Sequence, residues 1–186
     1  MGNGAAKLVE RALAWALGHA PDEALLNQAL AGFMDAYGAS RHTDTRVFPG
    51  VIPFLESVAP HWHLAVVTNK PERFVGPILT QTGLAPYFSG IIGGDTLPVR
   101  KPDPAPLLTA CKQLGVPARR AIMVGDSVTD VRAARNAGLP VIAVPYGYNH
   151  GEPVAAAGPD HLVDRLDHLT HDFLLTLLNQ EALDGT

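Results

Sequence analysis

Apolar residues are spaced differently in the two parts of this chain. In residues 4–38 they recur with the spacing of a helix, and one face carries a stripe at i, i+4, i+7 and i+11. The residues of that stripe are Leu26, Leu30, Phe33 and Tyr37. Residues 39–49 are polar and are expected to form a connection. The pattern therefore predicts a helical segment followed by a linker.

From residue 49 onward, short apolar runs alternate with longer amphipathic segments. Strands are predicted at 64–68, 90–93, 121–125 and 140–144, with a weaker one at 161–163. Helices are predicted at 50–58, 71–82, 104–114, 128–137 and 166–178. This alternation is typical of an α/β fold, a Rossmann-like parallel sheet with helices on both faces.

Composition narrows the possible partners. The 186 residues carry a net charge of −4, and their lysines and arginines are scattered, which argues against nucleic acid or an anionic membrane surface. No apolar run has membrane-spanning length. The single cysteine, Cys111, excludes an intramolecular disulfide. We therefore expect a cytoplasmic protein.

Polar residues follow three of the predicted strands. Thr68 and Asn69 end one strand, Asp126 ends another, and Lys101 lies in the loop after a third. Ligands of open parallel sheets bind beyond the carboxyl ends of the strands, so these side chains are expected to converge. Thr68, Asn69 and Lys101 are candidate phosphate-binding residues, because they offer hydroxyl, amide and ammonium donors.

Two carboxylates four residues apart, Asp126 and Asp130, are the candidate metal ligands, and Mg2+ is the cation that such oxygens suit. Other interpretations remain open. Ser127 and Asp130 also fit the capping pattern of a helix start. Thr68 or Asn69 could cap the helix near residue 71, and Lys101 could be a solvated loop lysine.

The order of these motifs resembles that of the haloacid dehalogenase-like phosphatases. VVTN at 66–69 is similar to their second motif, the lysine of RKPDP at 100–104 to the third, and GDSVTD at 125–130 to the fourth. The segments GGDTLPVRKPDPAPLL, ARNAG and PYGYNHGEPV resemble the bacterial phosphoglycolate phosphatase branch.

The resemblance implies a Mg2+-dependent phosphomonoesterase that hydrolyses 2-phosphoglycolate through an aspartyl-phosphate. Thr68, Lys101 and Asp126 would be catalytic, and the partner would be a small phosphorylated metabolite, bound by a monomer or homodimer. Residues 1–45 would be a partial helical cap that selects the substrate. Residues 46–186 would be the Rossmann-like core.

One element of the family pattern is missing from this chain. The first motif, an apolar strand ending in Asp-x-Asp-Gly-Thr, supplies the nucleophilic aspartate, and no Asp-x-Asp occurs here. In the resembled fold that strand is central, between the strands ending at Thr68 and Asp126. We therefore expect a truncated, inactive chain with two unpaired inner strand edges.

Two alternatives remain. One is a catalytically dead phosphate-binding or regulatory protein of the same fold, and the other is a phosphatase for a different small sugar phosphate. A two-component receiver domain also uses Asp, Thr and Lys at strand ends. Its usual order, with the acidic residues first, does not match the order Thr, Lys, Asp found here.

Overall fold

Two regions of different architecture follow one another in the computed structural model, which describes residues 4–39, 45–147 and 152–184. The first is a pair of helices, α1 (Ala5–Leu17) and α2 (Glu23–Ala39), which pack against each other. Gly18 ends α1 with φ 76°, a left-handed conformation that glycine adopts without strain. Most of the predicted linker lies outside the described residues.

The helical pair has almost no core of its own. Val9 is its one buried residue in the described part, and the apolar stripe of α2 is only half-buried. Tyr37 of α2 stacks on Phe33 and packs edge-on against Phe74, with ring centroids 4.9 Å apart in the second contact. The stripe therefore faces the second region across a shared space.

The second region alternates helices and strands, as the sequence predicts. Its helices are α3 (Val51–Val58), α4 (Val75–Gln81), α5 (Ala105–Gln113), α6 (Val128–Ala137) and α7 (His171–Asp184). Its strands are β1 (Ala65–Val67), β2 (Gly90–Ile92), β3 (Met123–Gly125), β4 (Val141–Ala143) and β5 (His161–Leu162). All of the strand pairs are parallel.

Helices cover both faces of the sheet, which confirms the predicted fold class. The two helical layers are clearest at β4, where all three residues have no exposed surface. Val141 and Ala143 pack on the side of α5 and α6, whereas Ile142 packs with α3 and α7 on the other side. Successive side chains of a strand point to opposite faces, so this alternation places one helical layer on each side.

The parallel strands form two separate groups. One group is β1–β2 and the other is β3–β4–β5, so β1 and β3 are each at the end of a group. No other strand of the described chain pairs with their outer edges. Both strands are only half-buried, in contrast to β4. These are the two edges that are expected from the sequence to be unpaired.

An apolar cavity of about 550 Å³ lies between the two groups of strands. Both β1 and β3 line it, together with side chains from α3, α5 and α7. The Leu64 carbonyl oxygen and the Thr68 N–H form hydrogen bonds on the side of β2. Because successive residues of a strand alternate in direction, the backbone groups of Ala65 and Val67 point toward the cavity. The cavity therefore has strand backbone as well as apolar side chains on its walls.

Two helices differ from their predicted bounds. The segment predicted at 71–82 begins with a 3-10 turn at Glu72–Phe74 before α4. The last helix begins at His171 rather than at residue 166, because the Thr170 hydroxyl accepts the Phe173 N–H at 3.2 Å and caps a new helix there. Within the described chain, none of the helices has the length and apolar character needed to cross a bilayer.

Candidate active site

The five predicted site residues line one cavity of about 460 Å³ at the carboxyl ends of β1 and β3. They are Thr68, Asn69, Lys101, Asp126 and Asp130. The opposite wall comes from α2, through Phe33, Met34 and Tyr37. The cavity therefore lies between the strand ends and the helical pair, where parallel sheets bind their ligands.

Thr68 and Asn69 stabilise the loop rather than cap the following helix. The Thr68 hydroxyl accepts the Lys70 N–H at 3.1 Å, and the Asn69 amide donates to the Lys101 carbonyl oxygen at 2.9 Å. The 3-10 turn after them receives no side-chain cap from either residue. Asp95 accepts the Glu72 N–H at 2.7 Å instead. Asn69 thereby fixes the backbone of Lys101, whose ammonium is a candidate phosphate-binding group.

Lys101 is a buried lysine, not a solvated one. It is 8 % exposed, and its ammonium donates to the Val67 carbonyl oxygen at 2.5 Å and to Asp130 Oδ1 at 2.6 Å. A charge this far from water requires a partner, and Asp130 supplies the opposite charge. An ammonium has three donors, so a third remains for a ligand oxygen.

Asp130 closes a capping box at the start of α6. Its Oδ2 accepts the Ser127 hydroxyl at 2.7 Å and the backbone N–H groups of Ser127 and Asp126 at 3.1 and 3.2 Å. Burial alone would raise the pKa of the Asp130 carboxyl. The charge and hydrogen bond of Lys101, with those donors, hold the pKa below its ordinary value. The capping interpretation is thus present in the structure, and direct metal contact stays a prediction.

Asp126 lies where two backbone segments come close together. A Cβ built on Gly147 would lie 2.0 Å from Asp126 Oδ2, and one on Gly125 would lie 2.4 Å from Asp130 Cβ. Only glycine fits at both positions, because larger side chains would overlap the two carboxylates. The absence of Cβ atoms therefore preserves the space in which Asp126 lines the cavity.

The donors of this cavity fit a hard cation with few protein ligands. The described residues contain no group of three or more His, Cys, Asp or Glu side chains that could hold a metal. Mg2+ needs no such group, because one or two carboxylates with substrate oxygens and water are sufficient. Both Asp130 oxygens already accept protein donors, so a cation at Asp130 would have to share those oxygens with the protein.

Two cavity residues were not identified from the sequence. The Lys70 ammonium donates a short hydrogen bond to the Tyr37 hydroxyl and lies 4.6 Å from the centre of its ring. This contact joins the loop after β1 to α2. The residues are 33 positions apart, so the only available sequence signal was the position of Lys70 directly after Thr68-Asn69.

Comparison with known proteins agrees with the motifs. The chain is 50 % identical over 168 residues to a phosphoglycolate phosphatase of Pseudomonas putida, covering 89 % of this chain and 61 % of that protein. It is 46 % identical to one of Thiobacillus denitrificans, covering 74 % of it and 89 % of this chain. The chain thus spans about three fifths of its Pseudomonas relatives.

A solved structure and a family model agree with these matches. The crystal structure of a predicted phosphoglycolate phosphatase from Haemophilus somnus superposes with a TM-score of 0.82 at 37 % identity, covering 90 % of this chain and 76 % of the other. The model of the haloacid dehalogenase-like hydrolases matches residues 5–144. With a parallel sheet, a helical pair and the motif residues around one cavity, this chain belongs to the haloacid dehalogenase-like hydrolases.

Proposed function

We propose that this site binds a phosphoryl group, and that the full-length enzyme hydrolyses 2-phosphoglycolate to glycolate and phosphate with the help of Mg2+. The observation that carries the proposal is the position of Thr68, Lys101 and Asp126 around one cavity at the strand ends. The names of the relatives support the substrate. A soluble cytoplasmic setting is part of the proposal, supported by the single, buried Cys111.

In this proposal the chain's own residues bind and orient the phosphoryl group. The Thr68 hydroxyl and the third donor of Lys101 hold phosphoryl oxygens, while Asn69 keeps the Lys101 backbone in place. Asp126, with Asp130 as a second candidate, would hold Mg2+, which neutralises phosphate charge when bound. Positioning and charge neutralisation assist the phosphoryl transfer, but they do not replace the attacking group.

The attacking group is proposed to come from a segment outside this chain. An aspartate there would attack phosphorus, glycolate would leave with a proton, and water would hydrolyse the acyl phosphate. The cavity between β1 and β3 supports this idea, because its two unpaired edges and apolar lining suit one further parallel strand. Such a strand would end between Thr68 and Asp126.

The test supplies that strand to the purified 186-residue chain. A peptide of five apolar residues followed by Asp-Leu-Asp-Gly-Thr is added, either free or fused to the N-terminus, and phosphate release from 2-phosphoglycolate with Mg2+ is measured. We expect release with the peptide and little or none without it. A matched peptide with Asn for the first Asp, and the Asp126→Asn variant of the chain, should both be inactive.

Two other results would change the conclusion. Turnover by the chain alone, or turnover that survives Asp126→Asn, would refute the proposed division of roles. Phosphate binding without turnover in the fused protein would favour the alternative, an inactive phosphate-binding protein, which the lack of any Asp-x-Asp motif in this sequence also favours. A panel of small sugar phosphates in the same assay tests the choice of ester.

A further inference from the structure

Two lysines lie on opposite walls of the cavity between the strand ends and α2. Lys101 is on the strand side, bonded to Val67 and Asp130. Lys70 points the other way, and its ammonium reaches Tyr37 of α2. Both residues line the same space. A ligand in this cavity would therefore meet one ammonium at each end.

The two lysines differ in how their charge is balanced. Lys101 forms a buried ion pair with Asp130, and its charge is neutralised within the protein. Among the described residues, Lys70 forms no ion pair with a carboxylate, and its contacts are the neutral hydroxyl and ring of Tyr37. Lys70 therefore adds a net positive charge to the wall that faces α2.

Lys70 is held at a fixed position relative to the candidate phosphoryl-binding residue. Its N–H donates to the Thr68 hydroxyl at 3.1 Å, and its carbonyl oxygen accepts the Gly94 N–H at 2.8 Å. Tyr37 is held in turn between Phe33 and Phe74. A ligand that binds at both Thr68 and Lys70 would therefore lie against the loop that follows β1.

We propose that Lys70 and Tyr37 form a subsite for the carboxylate of a short phosphorylated acid, and so determine the specificity of the site. The inference rests on the proposed function, because it assigns the phosphoryl end to Thr68 and Lys101. An ammonium and a phenol O–H are both donors, which is what a carboxylate requires. Since Tyr37 belongs to α2, the helical pair would bind the leaving-group end of the substrate.

Binding to the purified chain tests this without any need for turnover. Titration calorimetry compares 2-phosphoglycolate with ethyl phosphate, a two-carbon ester that lacks the carboxylate. The wild-type chain should prefer 2-phosphoglycolate. Lys70→Met should lower the affinity for 2-phosphoglycolate by about 10- to 100-fold, which is the range expected for a hydrogen bond to a charged group. The affinity for ethyl phosphate should change by less than about 3-fold.

Three further variants separate a binding role from a structural one. Lys112→Met removes an exposed lysine of α5, outside the cavity, and should change neither affinity. Lys70→Arg should retain part of the preference because the charge remains. Tyr37→Phe should reduce it by a smaller factor. If Lys70 only links the loop to α2 structurally, Lys70→Met should instead lower the affinity for both ligands by the same factor.

Each outcome bears on one proposal or on both. If the wild-type chain prefers 2-phosphoglycolate and Lys70→Met keeps that preference, the carboxylate subsite is refuted and the proposed function stands. Equal loss of both ligands in Lys70→Met also refutes the subsite. If the wild-type chain binds both ligands equally, or neither, the substrate assignment fails together with the subsite.

Discussion

Replacing Asp130 by alanine should strongly destabilise the fold, because it leaves the Lys101 ammonium buried without its opposite charge. Lys101 is 8 % exposed and Asp130 is 5 % exposed. Removing one partner of a buried pair costs about 3–5 kcal/mol. Lys101 would keep the Val67 carbonyl oxygen as an acceptor, so we expect the lower end, about 3 kcal/mol. This is a large fraction of the stability of a typical domain.

Urea unfolding followed by circular dichroism measures this loss. With a slope of about 2 kcal/mol per molar urea, the midpoint should fall by about 1.5 M. The double variant Lys101→Met with Asp130→Ala should be more stable than Asp130→Ala alone, because no unpaired charge remains. As a control, Glu10→Ala breaks the exposed Lys7–Glu10 pair and should cost less than about 0.5 kcal/mol.

A midpoint shift of less than about 0.5 M in Asp130→Ala would contradict a large cost for the unpaired ammonium. A double variant no more stable than the single one would contradict it too, because the cost would then not come from the unpaired ammonium.

Two further predictions concern the same carboxylate and its surroundings. Because the pKa of folded Asp130 is lowered, its contribution is present above the unfolded value of about 4 and is lost as the pH falls through the folded pKa. Urea titrations between pH 7 and pH 3 should therefore show a smaller acid loss in Asp130→Ala than in wild type, and equal losses would contradict this. Gly125→Ala places a Cβ 2.4 Å from Asp130 Cβ and should cost about 1–3 kcal/mol in the same assay. Gly76→Ala in α4 meets nothing within 4 Å and should be neutral or stabilising by up to about 1 kcal/mol, so the reverse order would contradict the packing argument.

Features that depend on neighbouring residues were predictable from the sequence. The predicted bounds of α6, 128–137, match the structure, because Ser127 caps its start and Gly138 ends it with φ 68°. The strands were placed within one or two residues, since an apolar run between turn residues is also a local signal. The same local signals explain why GDSVTD identified the start of α6 correctly.

Features that depend on distant partners were not predictable in the same way. The burial of Lys101 requires Val67 and Asp130, which are 34 and 29 residues away. Taken in isolation, Lys101 in its proline-rich loop favours the interpretation as a solvated lysine, which the structure corrects. The Lys70–Tyr37 contact crosses from one region to the other, and no spacing rule relates the two residues.

The division of the strands into two groups gives Lys101 a mechanical role. One of its hydrogen bonds goes to β1 in the first group, and the other goes to α6, which follows β3 in the second group. The described strands share no backbone ladder across this boundary. One ammonium therefore ties two half-sheets at the end where a ligand would bind. A bound phosphoryl group that draws Lys101 toward itself would therefore pull on both groups of strands at once.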